Sequence, residues 1–184
     1  MSDLRQRIVR GLTCALATLS IAGITCAAEL NVGASSIIAT FKQEDVPVDA
    51  PFKTFSGKID FSAANPAAGK ATLQVATASL DLGSADYNAE VQKPDWFNCA
   101  AYPNATFVST SITAAAPGHL TATGTFTLKG RSETISIPVT VTTSGGATAY
   151  DGKLQISRKY FSIGSPTWSQ VVDDTVQVRF HLVQ

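Results

Sequence analysis

The sequence predicts an all-β domain of about eight antiparallel strands, closed as a barrel or packed as a sandwich, with one short helical crossover between the third and fourth strands. Apolar and polar residues alternate with a period of two almost everywhere after residue 28 of the 184-residue chain, the mark of half-buried antiparallel strands. Clusters of Gly, Pro, Asn and Ser separate these runs. Helix signals occur in a single stretch, residues 84–98.

Residues 1–10 carry Arg5, Arg7 and Arg10, and residues 11–28 hold no charge, which reads as the basic and apolar regions of an export signal peptide. Thr25, Ala27 and Ala28 offer cleavage after Ala27 or Ala28, so Glu29 is the expected first residue of the mature chain. An uncleaved anchor competes, because eighteen uncharged residues can just span a bilayer. Its Ala, Thr, Ser, Gly and Cys content makes it a weak membrane helix, and Cys26 lacks the residues of a lipobox.

The expected strands run over residues 36–44, 52–61, 71–80, 105–113, 120–128, 134–142, 150–157 and 175–183. In the second, Phe55, Ile59 and Phe61 share a face. Leu120, Ala122, Gly124, Phe126 and Leu128 form one face of the fifth, which turns at Lys129-Gly130-Arg131-Ser132 into the next strand as a hairpin. In that strand Ile135, Ile137, Val139 and Val141 face one way, and Pro138, which has no N–H to donate, predicts an edge or a local bulge. The last strand alternates Val176, Val178, Phe180 and Leu182 with Gln177, Arg179 and His181, so His181 points outward. Turns are expected at Val46-Pro47 with Asp49-Ala50-Pro51, at residues 65–69, at Ala116-Pro117-Gly118 and at Ser144-Gly145-Gly146.

The helical stretch opens at Ser84 or Asp86 and is interrupted at Pro94. It runs into Lys93-Pro94-Asp95-Trp96-Phe97, where two large aromatics lie side by side in a segment too short and too broken to bury both on one helical face. In an all-strand protein such a segment is expected to cover the open end or seam of a barrel.

Without residues 1–28 the chain carries 11 basic and 13 acidic residues, a balance that gives nucleic acid no footing. Cys14 and Cys26 lie in the leader, so Cys99 stands alone and no disulfide can form within the mature chain. One Cys and the distant His119 and His181 give no metal-ligand spacing, and adjacent Asp173 and Asp174 in a strand would point to opposite faces. No nucleophile elbow, phosphate loop or dinucleotide fingerprint is present. Small residues at expected inward positions, Gly57, Ala122, Gly124 and Gly152, either leave room inside or supply the bends that closure needs.

Several motifs together resemble the YceI-like family. Residues 52–61, Phe-Lys-Thr-Phe-Ser-Gly-Lys-Ile-Asp-Phe, with Val46-Pro47-Val48 before them, are similar to its opening hairpin. Ala78-Ser79-Leu80-Asp81-Leu82-Gly83 resembles the stretch before its helix. Asp95-Trp96-Phe97 followed by Tyr102-Pro103-Asn104-Ala105-Thr106-Phe107 matches its most specific signature. Gly124-Thr125-Phe126-Thr127-Leu128-Lys129-Gly130 resembles its internal strand and turn, and residues 173–182 its closing strand. Tyr160 stands where relatives often carry Asp, and Asn98 replaces a common Asp.

The resemblance implies an eight-stranded lipocalin-like antiparallel barrel over residues 29–184. It also implies a periplasmic location and an internal channel holding a polyisoprenoid, a quinone tail or a comparable long-chain amphiphile, with binding rather than catalysis as the task. No other cofactor is expected. The residues expected to line the channel are Phe41, Phe55, Phe61, Phe107, Phe126, Ile156, Phe161 and Phe180, with Trp96, Phe97 and Trp168 near an end. A filled barrel that partners a membrane cytochrome of the b561 type is the alternative. An enzyme with a polar dyad near Tyr160 and Asp173 or Asp174 ranks third, and a homodimer is the expected assembly if the chain follows its relatives.

Overall fold

The two-residue alternation builds one antiparallel sheet. The computed structural model describes residues 28–62 and 64–184, so the expected leader lies outside the described residues up to Ala28. Strands β1 (Ala28–Glu29), β2 (Ser36–Gln43), β3 (Val46–Pro51), β4 (Phe55–Asp60) and β5 (Lys70–Ala76) precede the only α-helix among the described residues, α1 (Ala85–Glu90). Strands β6 (Asn104–Ala116), β7 (His119–Leu128), β8 (Arg131–Ser144), β9 (Ala147–Ser157) and β10 (Thr175–Val183) follow it. Their order in the sheet is β1-β4-β5-β6-β7-β8-β9-β10-β2-β3.

The expected eight strands are thus ten, and the ladder does not run continuously around a closed ring. Its two ends meet through separate contacts. On the β1 side the Asn31 N–H donates to the Val183 carbonyl at 2.7 Å, and the Gln184 amide reaches the Ile59 carbonyl. On the β3 side the Lys53 N–H donates to the Ser79 carbonyl at 3.0 Å and the Asp81 N–H to the Pro51 carbonyl at 2.9 Å.

One added strand corrects the reading of residues 46–51 as turn signals. The turn lies two residues earlier, at Glu44 and Asp45, whose φ values of 50° and 64° are those of a two-residue hairpin turn matched to strand twist. Residues 46–51 then pair with β2, and Pro47 and Pro51 are tolerated because β3 ends the sheet. Lys129-Gly130 and Gly145-Gly146 make the same kind of turn with positive φ at both residues, whereas Pro117-Gly118 is positive only at Gly118.

Pro138 lies in an interior strand and carries no bulge; it is the first residue past the last β8–β9 pair, Val139 opposite Gly152. Beyond that point β8 pairs only with β7 and β9 only with β10. The turn after β9 bridges this parting: Arg131 donates to the Tyr160 carbonyl at 2.5 Å and the Tyr160 hydroxyl to the Ser132 carbonyl at 3.1 Å.

The helical crossover sits where expected, between β5 and β6, but α1 is six residues long and the chain continues as turns from Val91. Backbone hydrogen bonds fold those turns back on themselves, among them Phe97 N–H to the Val91 carbonyl at 3.0 Å. The buried core runs through the inward faces of nearly all strands, with Ile37, Ile112, Leu120, Leu128, Ile137 and Tyr150 within it. A smaller cluster of Ala39, Ala50, Leu80 and Val91 lies under α1 and continues into Trp96 and Phe97.

Candidate functional site

Inside the curl of the sheet is a cavity of about 460 Å³, within the range of roughly 300–1,000 Å³ usual for small-molecule sites. Its walls come from the inward positions of β2 to β10, so the same alternation that forms the strands makes an apolar interior. On β2 these are Ile37, Ala39 and Phe41, and on β10 Val176, Val178, Phe180 and Leu182.

Nine of the eleven expected channel residues line this cavity: Phe41, Phe61, Trp96, Phe97, Phe107, Phe126, Ile156, Trp168 and Phe180. Phe55 and Phe161 do not. Phe55 has the inward parity of Ile59 and is equally buried in the core, but of the two only Ile59 lines the cavity. Phe161 follows the end of β9 and is fully buried, its ring edge-on to Phe126 at 5.4 Å and to Tyr160 at 4.9 Å. Strand alternation cannot place a residue beyond the strand.

Ala122 lines the cavity, whereas the space beside the three inward glycines is already filled. A Cβ on Gly124 would lie 2.7 Å from the Phe107 ring, one on Gly152 would collide with the Phe180 ring, and one on Gly57 would meet the Thr72 carbonyl at 2.6 Å. Gly124 and Gly152 therefore let two large rings approach the backbone of the wall closely, which shapes the cavity.

The Trp96-Phe97 run crosses one end of the cavity, as its broken sequence predicts. Lys129 holds it there, donating from Nζ to the Pro94 carbonyl at 2.9 Å and to the Ser162 carbonyl at 2.6 Å, while the Gly164 N–H donates to the Asp95 carbonyl at 2.8 Å. Burial pushes the Lys129 ammonium below its ordinary value, opposed by Asp95. The Trp96 ring packs on Trp168 with centroids 5.5 Å apart and planes at 51°. The Trp96 indole N–H is buried and has no hydrogen-bond partner among the described residues.

The cavity reaches the surface at this same end. Tyr87 of α1, 63% exposed, and Trp168, 36% exposed, both line it. Gln43, at the tip of the β2–β3 hairpin, and Glu90 of α1 add polar atoms at the opening. The hairpin tip is tied to the Trp168 segment by the Glu44 N–H, which donates to the Val171 carbonyl at 2.8 Å.

Arg158 is the charged group deepest in the wall, 2% exposed. Its guanidinium does not offer itself to a ligand. Nε donates to the Asp173 carbonyl at 2.9 Å, Nη1 to the Ile163 carbonyl at 2.9 Å, and Nη2 to the Val172 and Trp168 carbonyls at 2.6 and 3.3 Å. Burial lowers its proton affinity while Asp174 and Asp173 raise it. Its work is to knot residues 158–173 into a closed turn, and neither alternation nor spacing marks a buried arginine of this kind.

Residues placed outside the cavity complete the account. The His181 ring contacts the Asp151 carboxylate at 2.7 Å on the outer face, a partner that only the β9–β10 register supplies. Thr77, 1% exposed, directs its hydroxyl at the Tyr102 and Pro103 carbonyls, both at 3.0 Å, and at Cys99 Sγ, 3.2 Å away. Among the described residues no group of His, Cys, Asp and Glu is placed to hold a metal ion, and no helix is long and apolar enough to cross a membrane.

A curled antiparallel sheet around an apolar cavity that reaches the surface defines a β-sheet container. The profile of the YceI-like domain matches residues 29–184, and the chain belongs to that family.

It is similar to a UPF0312 protein of Shewanella oneidensis, 31% identical over 134 residues that cover 68% of this chain and 70% of that one. Protein YceI of Escherichia coli O157:H7 is 36% identical over 86 residues, 47% of this chain and 44% of that protein, and a UPF0312 protein of Shewanella sp. strain ANA-3 is 37% identical over 86 residues, 47% and 45%. The chain therefore aligns with under half the length of these last two relatives.

Among solved structures, Burkholderia cenocepacia BcnA matches with a TM-score of 0.82 at 40% identity, covering 84% of this chain and 99% of that one. A polyisoprenoid binding domain from Saccharophagus degradans matches in fold with a TM-score of 0.70 at 22% identity, covering 85% and 97%.

Proposed function

We propose that this protein binds a long-chain apolar lipid of the isoprenoid class, a quinone among the candidates, and carries or stores it in the periplasm without chemical change. The observation that carries the reading is the cavity itself, walled by aromatic and aliphatic side chains, with its charged Arg158 committed to backbone carbonyls. Each methylene moved from water into such a space contributes about 0.8 kcal/mol, so a prenyl chain is held without a dense set of polar contacts. Polar Gln43 and Glu90 at the opening and apolar side chains deeper in support a bound state with the headgroup at the mouth and the chain inside. The polyisoprenoid binding domain of like fold supports the ligand class. Arg5, Arg7 and Arg10 before an uncharged stretch support export.

The test is mass spectrometry of an organic extract from protein purified out of its native compartment without detergent, beside a folded Trp96→Ala, Phe107→Ala variant. A stoichiometric prenyl lipid in the wild type and its loss in the variant is the expected result. Empty protein that also takes up no added quinone overturns the reading and turns attention to the outer surface and a protein partner.

A further inference from the structure

We propose that the mouth of the cavity docks on an uncharged, zwitterionic lipid bilayer, with Tyr87, Trp168 and Val46 entering the interface. The proposal rests on the lipid-binding reading and adds the surface through which cargo passes.

Three segments distant in sequence surround one opening, and each presents an apolar side chain to solvent: Val46 at the hairpin tip, 61% exposed, Tyr87 on α1, and Trp168. Trp168 is held in this position. Its ring rests on Trp96, and its carbonyl accepts from both Arg158 and the Val172 N–H, the latter at 2.9 Å. Amphipathic aromatics fixed at the rim of an apolar space are the side chains that settle at a membrane interface, with the ring in the acyl boundary and the polar tip among the headgroups.

The charge around the rim selects the kind of bilayer. Residues 165–172 carry no charge. The hairpin tip and α1 bring Glu44, Asp45, Asp86 and Glu90 against Lys42 and Lys93, and Lys93 is already paired with Glu90 at 2.5 Å. An acidic excess is repelled by an anionic surface and tolerated by a zwitterionic one. A protein partner seated on the same face would shut the opening, whereas a bilayer leaves it joined to an apolar phase. A prenyl chain then enters or leaves without crossing water, where every exposed methylene is unfavourable.

The experiment is flotation of the full protein with phosphatidylcholine vesicles and with vesicles half phosphatidylglycerol, together with Trp168 emission in a Trp96→Phe background. Docking gives flotation with phosphatidylcholine, weaker flotation with the anionic vesicles that recovers as salt is raised, and a blue shift of Trp168. Tyr87→Ser with Trp168→Ser is expected to reduce partitioning about tenfold through loss of two interfacial rings. Val46→Asp, on an exposed edge outside the cavity, should weaken it while leaving the fold and cavity intact. Val108→Ser, which removes an exposed apolar side chain from the outer face of β6, should leave it unchanged.

Absence of flotation with an unshifted Trp168, a preference for anionic vesicles, or flotation unaffected by the mouth variants would each overturn the proposal. The extract measurement separates the two readings: lipid-loaded protein that never floats leaves the cargo reading standing alone, whereas flotation of a protein that never holds lipid leaves the docking surface without a cargo. Flotation seen only with vesicles containing a membrane protein such as a b561-type cytochrome would assign the face to that partner and overturn docking on lipid.

Discussion

The Phe180 ring lies over the backbone of Gly152, the residue directly opposite it in the β9–β10 ladder. Two neighbouring strands thus share one volume: what the glycine omits, the aromatic fills, and the cavity wall at that point is a ring face.

Gly152→Ala should therefore act as an overpacking change, costing about 1–3 kcal/mol as the Phe180 ring is pushed toward the cavity. Chemical denaturation measures the loss. Gly152→Ala combined with Phe180→Leu should recover part of it, and strict additivity of the two changes would show that the ring and the glycine are not coupled.

Arg158→Met leaves the Asp173, Ile163 and Val172 carbonyls short of their donor, while the Trp168 carbonyl keeps the Val172 N–H. Buried acceptors without partners cost about 1–3 kcal/mol each, and local opening of the turn limits the sum. A destabilisation of at least about 3 kcal/mol is expected, with amide exchange in residues 159–173 rising well above that of the β-ladders. Unchanged exchange in that segment would remove Arg158 as its organiser.

Asp174 supplies an acid-sensitive contribution to the same turn. Burial raises its carboxyl's proton affinity, but the Lys159 N–H, the Ser157 hydroxyl and the nearby Lys159 and Arg158 charges more than offset this and hold it below its ordinary value. A depressed folded-state value means the contribution is present at neutral pH and above the unfolded value of about 3.9. It is lost as pH falls below that through the lower folded value. Melting temperature followed from pH 6 to pH 2 should drop in the wild type more than in Asp174→Asn, and parallel curves would exclude the role.

Thr77→Val keeps the shape of a buried residue and removes the hydroxyl that faces the Tyr102 and Pro103 carbonyls. One donor serves them, so the expected loss is about 1–2 kcal/mol, read by urea denaturation. The Thr77 N–H, which bonds the Pro103 carbonyl at 2.9 Å, is kept in this variant, so the change isolates the hydroxyl.

The all-β class, the places of eight strands, the crossover before β6 and most of the cavity wall were legible in the sequence because each depends on short-range pattern. Alternation alone assigns Phe41, Phe107, Phe126 and Phe180 to one side of their strands, and the broken aromatic run at Trp96-Phe97 could not be buried within a helix. Residues 46–51 were misread because Pro signals a turn and an edge strand equally well, and only pairing with β2 decides between them.

What the sequence by itself determined is which side chains are apolar, at what period, and hence that a sheet with an inward apolar face must form. Tertiary structure decided the rest. The curl of the sheet set Phe180 on Gly152 and Phe107 on Gly124, the turn after β9 packed Phe161 against Phe126, and the closing turn recruited Arg158 and brought Trp168 to Trp96. Each joins residues from separate strands or turns. Local periodicity says which face a side chain takes, whereas the volume in front of that face is set by strands that arrive from elsewhere in the chain.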